Sequence, residues 1–469
     1  MLRNGRFEWD SRPVDGLPLR GEFVLRGGHM LTMDEALGDW PDGDVHVLNG
    51  VICAVGHQLQ VAPGVPEIDA RTMVVLPGFV DTHWHLWNSS LRALVRGDDV
   101  EHGYFPVTLR VGPRFTPGDS YHAVRLGLAE GLASGITTVH NWSHNTRTPE
   151  HANAELRALQ EIGVRARFSY GWGQDLPLNQ AMDLDDLSRL CSEGTPPDNL
   201  LTLGAALRTP LSNPRGAVPV DIVKAEMAEI RQLGLPITMH ARPGIVSILN
   251  EHGMLGPDLQ LVHPQGITEN ERAMLAANRT SMSCSPVIEL LYAQATRGVI
   301  QFQELLDCDV RQSLSIDSSA ASASADFFAC IRALLYSHKQ RFGSRVALTP
   351  RRLLQLATID GARDLGLDDH IGSLTPGKRA DIICVRTNDL NIAPVFDPAF
   401  ALVYSGQPSN VDTVIVDGRV LVRNGAFLAL DSAAIVRDAV ASVRALATRT
   451  DDLAVKPAHS RPTAITASP

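Results

Sequence analysis

Two histidines stand one residue apart in the run Pro77-Gly78-Phe79-Val80-Asp81-Thr82-His83-Trp84-His85. In an extended strand, residues i and i+2 point to the same side, so both imidazoles can reach a single ion. Four further polar residues follow apolar, β-branched runs: His140 after ITTV, His240 after LPITM, His263 after LQLV and Asp317 after SLSI. Each taken singly also reads as a hydrogen-bonded core or rim residue. If the runs are strands of one barrel, however, their ends converge on one pocket. Three imidazoles and a carboxylate suit one first-row divalent ion, and a position left open to water makes such a site hydrolytic. Zinc heads the candidates, with iron, cobalt and manganese beside it.

The elements that must position these side chains repeat eight times. Apolar runs occur at 74–81, 136–139, 164–170, 200–207, 235–239, 259–262, 280–284 and 313–316, with amphipathic segments such as 219–233 and 269–277 between them. Strand-then-helix units in that number predict an α/β fold, a (β/α)8 TIM barrel spanning 77–366. The flanks read as β structure: 23–25, 45–48, a turn at Asn49-Gly50, 51–55 and 73–76 before the barrel, then GSLTPGKRADIICV and VDTVIVDGRVLV, with a turn at Asp417-Gly418, after it. Segments 1–76 and 367–430 are expected to pair into one small β-sandwich domain. Residues 431–449 read as a helix on the barrel exterior, and 456–469 as a solvated tail.

Composition narrows the function classes. The 469 residues are 44% hydrophobic and 20% charged, with a formal net charge of -10 and no Lys/Arg run. That balance argues against a nucleic-acid partner and for a small neutral or cationic substrate. No stretch of about 18 apolar residues occurs and MLRNGRFEWD has no apolar core, so a cytoplasmic protein with no membrane association is expected. Six cysteines without a C-x-x-C pair read as reduced thiols, which leaves any metal to His and carboxylate. A homo-oligomer is expected from the habit of such barrels.

The pieces PGFVDTHWH, SGITTVHN, ITMHA, LVH, SIDSSAAS and GSLTPGKRADIICV resemble the amidohydrolase superfamily, in particular its mononuclear deaminase and chlorohydrolase (ATZ/TRZ-like) branch. Size and layout are also similar to the phenylurea and molinate hydrolases. The resemblance spans 23–422 and implies that His83, His85, His240 and Asp317 hold the metal. It further implies that Asp317 accepts a proton from the metal's water, while His263 orients that water or polarises the substrate. No carboxylated lysine is expected, because no Lys ends the fourth strand.

The chain departs from that pattern at informative places. The deaminase branch typically carries His-x-x-Glu after strand five, where this chain reads His240-Ala241-Arg242-Pro243, and proline handles no proton. Arg208-Thr209-Pro210 stands where relatives often have a substrate-binding His before Pro. Arg208 reads either as a grip on a substrate oxygen or as a surface ion pair. Glu289 reads either as a solvated helix-start residue or as a substitute proton shuttle. His140, beside Asn141 and His144, is the first choice for a substrate contact after strand two. Trp84, with Trp87, Tyr104 and Phe105, reads as pocket wall or as core. His140, Arg208, Trp84 and Glu289 thus form the expected substrate-binding set. The expected reaction is hydrolysis of a C–N or C–S bond at the carbonyl carbon of an amide, urea, carbamate or thiocarbamate. The alternatives are an aminohydrolase or chlorohydrolase of a purine, pyrimidine or triazine ring, and a dead metal-binding scaffold, which a full ligand set argues against.

Overall fold

The computed structural model describes residues 17–450 apart from 93, 97–100, 195–199, 212–215, 293–297 and 346, so the tail expected at 456–469 lies outside the described residues. Gly78 divides the first long apolar run. A Cβ there would lie 2.1 Å from the Thr137 hydroxyl oxygen, so only glycine lets the chain pass. The run 74–81, expected as one barrel strand, is therefore two strands in two sheets. In chain order, β1 (Glu22–Met30), β2 (Trp40–Leu48), β3 (Val51–Gly56), β4 (Glu67–Asp69) and β5 (Met73–Pro77) precede the break. After the barrel come β14 (Ile382–Arg386), β15 (Val411–Val416), β16 (Arg419–Arg423) and β17 (Ala426–Phe427).

Antiparallel pairing of β5 with β14 joins the two flanks into one nine-stranded sheet, ordered β17-β16-β15-β14-β5-β1-β2-β3 with β4 on β1. Side chains from both flanks, among them Leu25, Val45, Ile52, Val75, Ile382 and Ile415, share one small core. The two turns meet as well. Asn49 and Gly50 (φ 50° and 83°) and Asp417 and Gly418 (φ 54° and 74°) have the positive φ pairs of tight hairpin turns, and a Cβ on Gly418 would lie 2.4 Å from the Gly50 Cα.

The second sheet is the barrel: β6 (Phe79–Trp84), β7 (Ile136–Ser143), β8 (Arg165–Tyr170), β9 (Leu201–Leu207), β10 (Ile237–His240), β11 (Leu259–Val262), β12 (Ser281–Cys284) and β13 (Gln312–Leu314), each parallel to the next. Closure between β13 and β6 runs through Asp317 N to the His83 carbonyl (2.8 Å) and His85 N to the Asp317 carbonyl (2.6 Å). The interior is hydroxyl-rich: Thr82 Oγ1 lies 2.8 Å from both Ser283 Oγ and Ser313 Oγ, while Met282 and Leu314 point the other way into the helix-facing core. Helix Ser432–Arg449 packs on helix Pro117–Ala133 of the outer layer, where Ser442 and Arg449 reach the Asp119 carboxylate.

A buried ion cluster ties the β domain to the barrel. Arg165 at the start of β8 grips Asp381 twice (Nε–Oδ2 2.7 Å, Nη2–Oδ1 3.1 Å) and reaches Asp417 at 3.4 Å. Asp417 also takes Arg379, Arg20 and Arg419.

Glu155, on helix Pro149–Ile162 behind β7, is fully buried and accepts a hydrogen bond from Asn141 Nδ2 at 2.8 Å. Burial pushes its pKa up from 4.5 to about 7, against the pull of that hydrogen bond. The folded chain thus holds a proton that the unfolded chain releases, so stability falls as pH rises from about 4.5 to about 7 and stays lower above it. Glu155→Gln removes that fall. Chemical denaturation should find the variant roughly 2–3 kcal/mol more stable than the parent at pH 8 and near parity at pH 4.5; an equal difference at both pH values would refute the assignment.

Candidate metal centre

At the C-terminal ends of its strands the barrel gathers the polar residues that the sequence scatters over 235 positions. The carboxylate of Asp81 accepts the amides of His83 (3.0 Å) and Ile316 (2.8 Å), which pins the ends of β6 and β13 to each other. His263 and Asp317 both sit in the left-handed region, at φ 75° and 66°. Such a backbone costs about 1–3 kcal/mol per residue and persists where surrounding structure enforces it, commonly at functional sites.

Potential ligand atoms of His83, His85, His240 and Asp317 all lie within 4.8 Å of one another. His83 Nε2 is 3.4 Å and His85 Nε2 3.2 Å from Asp317 Oδ1. Both ring nitrogens of His83 are buried without a hydrogen-bond partner, a state that costs about 1–3 kcal/mol for each group left unsatisfied. Burial holds His83 at about 3 and His240 well below the usual imidazole range, so both are neutral with a lone pair to give. Burial opposes ionisation of Asp317, yet the imidazoles of His83 and His85 hold its carboxyl well below the carboxylate range. His85 Nδ1 faces the Trp142 carbonyl at 3.4 Å, which turns Nε2 to the centre. Three imidazoles, one carboxylate and an orphaned nitrogen fit a divalent ion. The fourth strand ends at Leu207-Arg208, without a lysine.

His263 stands beside this set. Its Nε2 is 3.6 Å from Asp317 Oδ2, its Nδ1 is 3.2 Å from Glu289 Oε1, and its ring stacks on His240 with centroids 5.4 Å apart.

The expected substrate contacts are redistributed. Both ring nitrogens of His140 are spent inside the barrel, on the Thr82 carbonyl (2.9 Å) and Ser169 Oγ (2.6 Å), so His140 does not face the pocket. Strand β7 runs on to Ser143, beyond the apolar ITTV run, and its inward positions at the rim are Trp142 and His144. Trp142 stacks on His240 at 4.0 Å and meets His83 edge-on at 4.5 Å; His144 lies 4.1 Å from His85. Counting every second residue from His140 finds Trp142 and joins it to His144, already a candidate beside His140. Trp84 points outward between the two inward histidines, against helix Pro117–Ala133, where a Cβ on Gly131 would lie 2.8 Å from its ring. Arg208 is buried, and its guanidinium is taken by the carbonyls of Pro177 (3.0 Å) and Gln180 and by Glu226 (3.2 Å). It ties down the loop after β8, because a buried guanidinium must use the acceptors it has. Glu289 is 1% exposed and thus not a solvated helix start. It lies behind His263, with Ser285 N at 2.8 Å and Cys284 Sγ at 3.0 Å on the same carboxylate.

His144 completes the wall. Its Nδ1 accepts the Trp87 indole N–H (3.0 Å), so Nε2 carries the proton in the neutral ring, facing Gln174 at 2.8 Å and the Tyr104 hydroxyl at 3.3 Å. Burial first, then the Asp317 charge, pushes the Tyr104 phenol well above its usual range and keeps it protonated.

Among the described residues, no helix is long and apolar enough to cross a membrane. The Amidohydrolase family model matches residues 74–421. A 5'-deoxyadenosine deaminase of Methanosarcina barkeri is 26% identical over 453 residues, 91% of this chain and 99% of its own. A 5-methylthioadenosine/S-adenosylhomocysteine deaminase of Pelotomaculum thermopropionicum is 28% identical over 430 residues, 89% and 97% of the two chains. Among solved structures, a zinc-bound adenosine deaminase from Xanthomonas campestris superposes with a TM-score of 0.78 at 22% identity, over 91% of this chain and 99% of that one. The atrazine chlorohydrolase TrzN from Arthrobacter aurescens, complexed with zinc, gives 0.78 at 22%, over 90% and 100%. Match and ligand set agree: this chain belongs to the amidohydrolase family and is a hydrolase.

Proposed function

We propose that the chain is a zinc-dependent aminohydrolase that displaces an amine from an sp2 carbon of a small nitrogen heterocycle. The observation that supports this reading is the match along nearly the whole chain to 5'-deoxyadenosine and 5-methylthioadenosine/S-adenosylhomocysteine deaminases, whose names place them in this class. His83, His85, His240 and Asp317 would hold the ion, which would supply a Lewis acid that lowers the pKa of a water. Asp317 accepts the proton of the attacking water and returns it to the leaving nitrogen. His263 Nε2, 3.6 Å from Asp317 Oδ2, stands beside the path of that proton. Trp142 and Tyr104 offer flat and polar surface to a planar ring, with the Tyr104 hydroxyl available as a donor.

Hydrolysis at a carbonyl carbon, the reaction expected first from the sequence, becomes the second reading. Pro243 favours it, because an amide, urea or carbamate nitrogen can leave on the single proton carried by Asp317, without the extra carboxylate of His-x-x-Glu. Zinc-loaded protein offered aminopurines, aminopyrimidines and chlorotriazines beside anilides, phenylureas and thiocarbamates should release ammonia or chloride from the rings. Aniline or thiol release with the rings untouched would overturn the ring reading in favour of the second. A cytoplasmic homo-oligomer is the setting we propose, and light scattering of the purified protein tests its assembly.

A further inference from the structure

No carboxylate stands three residues after His240, yet one buried carboxylate, on helix Pro286–Leu291 after β12, does touch His263. Glu289 Oε1 takes two contacts, the Ser285 amide at 2.8 Å and His263 Nδ1 at 3.2 Å, and Oε2 takes the Cys284 thiol at 3.0 Å. Its side chain is fully buried. Oε1 already accepts the Ser285 amide and Oε2 the Cys284 thiol, so the Glu289 carboxyl group faces His263 as an acceptor and Nδ1 is the nitrogen that donates. In the neutral ring, Nε2 then carries a lone pair, and it faces Asp317 Oδ2 at 3.6 Å. Two acceptors facing one another need a donor between them, and a water O–H or a leaving-group N–H has the right chemistry to be that donor.

We propose that Glu289 is a positioning residue that fixes His263 as the Nδ1–H tautomer and so makes His263 Nε2 and Asp317 Oδ2 a paired acceptor for the protons of the reaction. The left-handed backbone of His263 and the hydrogen bond from its amide to the Ser283 carbonyl (3.0 Å) set the ring's direction, and Glu289 sets which nitrogen faces inward. In the hydrolytic step, an O–H bond of water breaks toward this acceptor pair while its oxygen bonds to the substrate carbon. The same proton then goes to the departing nitrogen as the C–N bond breaks, so no other reactant is required. This role rests on the hydrolytic reading of the site and is indifferent to which substrate is attacked.

The test needs no substrate, which separates its failure from a failure of the functional reading. Nitrogen NMR of zinc-loaded protein labelled with 15N-histidine, with the His263 signals assigned by their loss in His263→Gln, should show a pyrrole-type Nδ1 and a pyridine-type Nε2. Glu289→Gln keeps an acceptor oxygen and should keep that pattern, whereas Glu289→Met removes it and should shift His263 to mixed tautomers. A pyridine-type Nδ1 in the parent protein overturns the proposal without any variant having to fold. So does a Glu289→Met spectrum identical to the parent's.

Discussion

Asp317→Asn should yield a folded protein whose hydrolytic turnover is lower by about 10³-fold or more. The substitution keeps the shape and the backbone contacts that close the barrel, since Asp317 N to the His83 carbonyl and His85 N to the Asp317 carbonyl are main-chain bonds. It removes the anionic ligand facing His83 and His85 at 3.4 and 3.2 Å, and with it the acceptor for the water's proton. An amide oxygen is a weaker ligand and a far weaker base, so metal retention and turnover should fall together. His83→Ala should lose metal likewise, since it empties one ligand position. Turnover and metal content within threefold of the parent in both variants would mean that these residues do not form the catalytic centre.

Arg165→Met should cost about 3–5 kcal/mol of stability while leaving metal stoichiometry unchanged. Asp381, with a side chain 2% exposed, loses both guanidinium contacts and keeps the Asp417 amide at 2.7 Å, while Asp417 retains Arg379, Arg20 and Arg419. An ionised carboxylate left in that setting is costly, whereas deleting both charges is far milder. Arg165→Met/Asp381→Leu should therefore recover most of the loss in urea denaturation. A double variant as unstable as the single one would place the cost in packing instead.

The barrel was legible because its signal is periodic. Eight apolar runs with helices between them survive as β6 to β13, and the ligands stand at the ends that the i, i+2 rule assigns. The same rule, carried further, disqualifies Trp84, which lies between two inward histidines, and promotes Trp142 and His144 over His140. There the error was stopping the strand at the end of its apolar run, whereas β7 continues through polar residues because neighbouring strands still pair with it. The remaining differences are long-range. Gly78 splits a run because Thr137 occupies the space a side chain would need. Arg208 meets Glu226 and Glu289 meets His263 only because the barrel folds back on itself, so no local pattern distinguishes a substrate grip from a loop tie or an orienting carboxylate.

His83, His85, His240 and Asp317 should together hold one divalent ion. X-ray absorption at the zinc edge, combined with metal analysis of the zinc-loaded chain, tests it most directly. The expected result is one zinc per chain with only nitrogen and oxygen neighbours at about 2.0–2.2 Å, imidazole scattering that weakens in His240→Ala, and no sulfur at about 2.3 Å. A sulfur neighbour, or a zinc environment unchanged by His240→Ala, would mean that these four residues do not hold the ion.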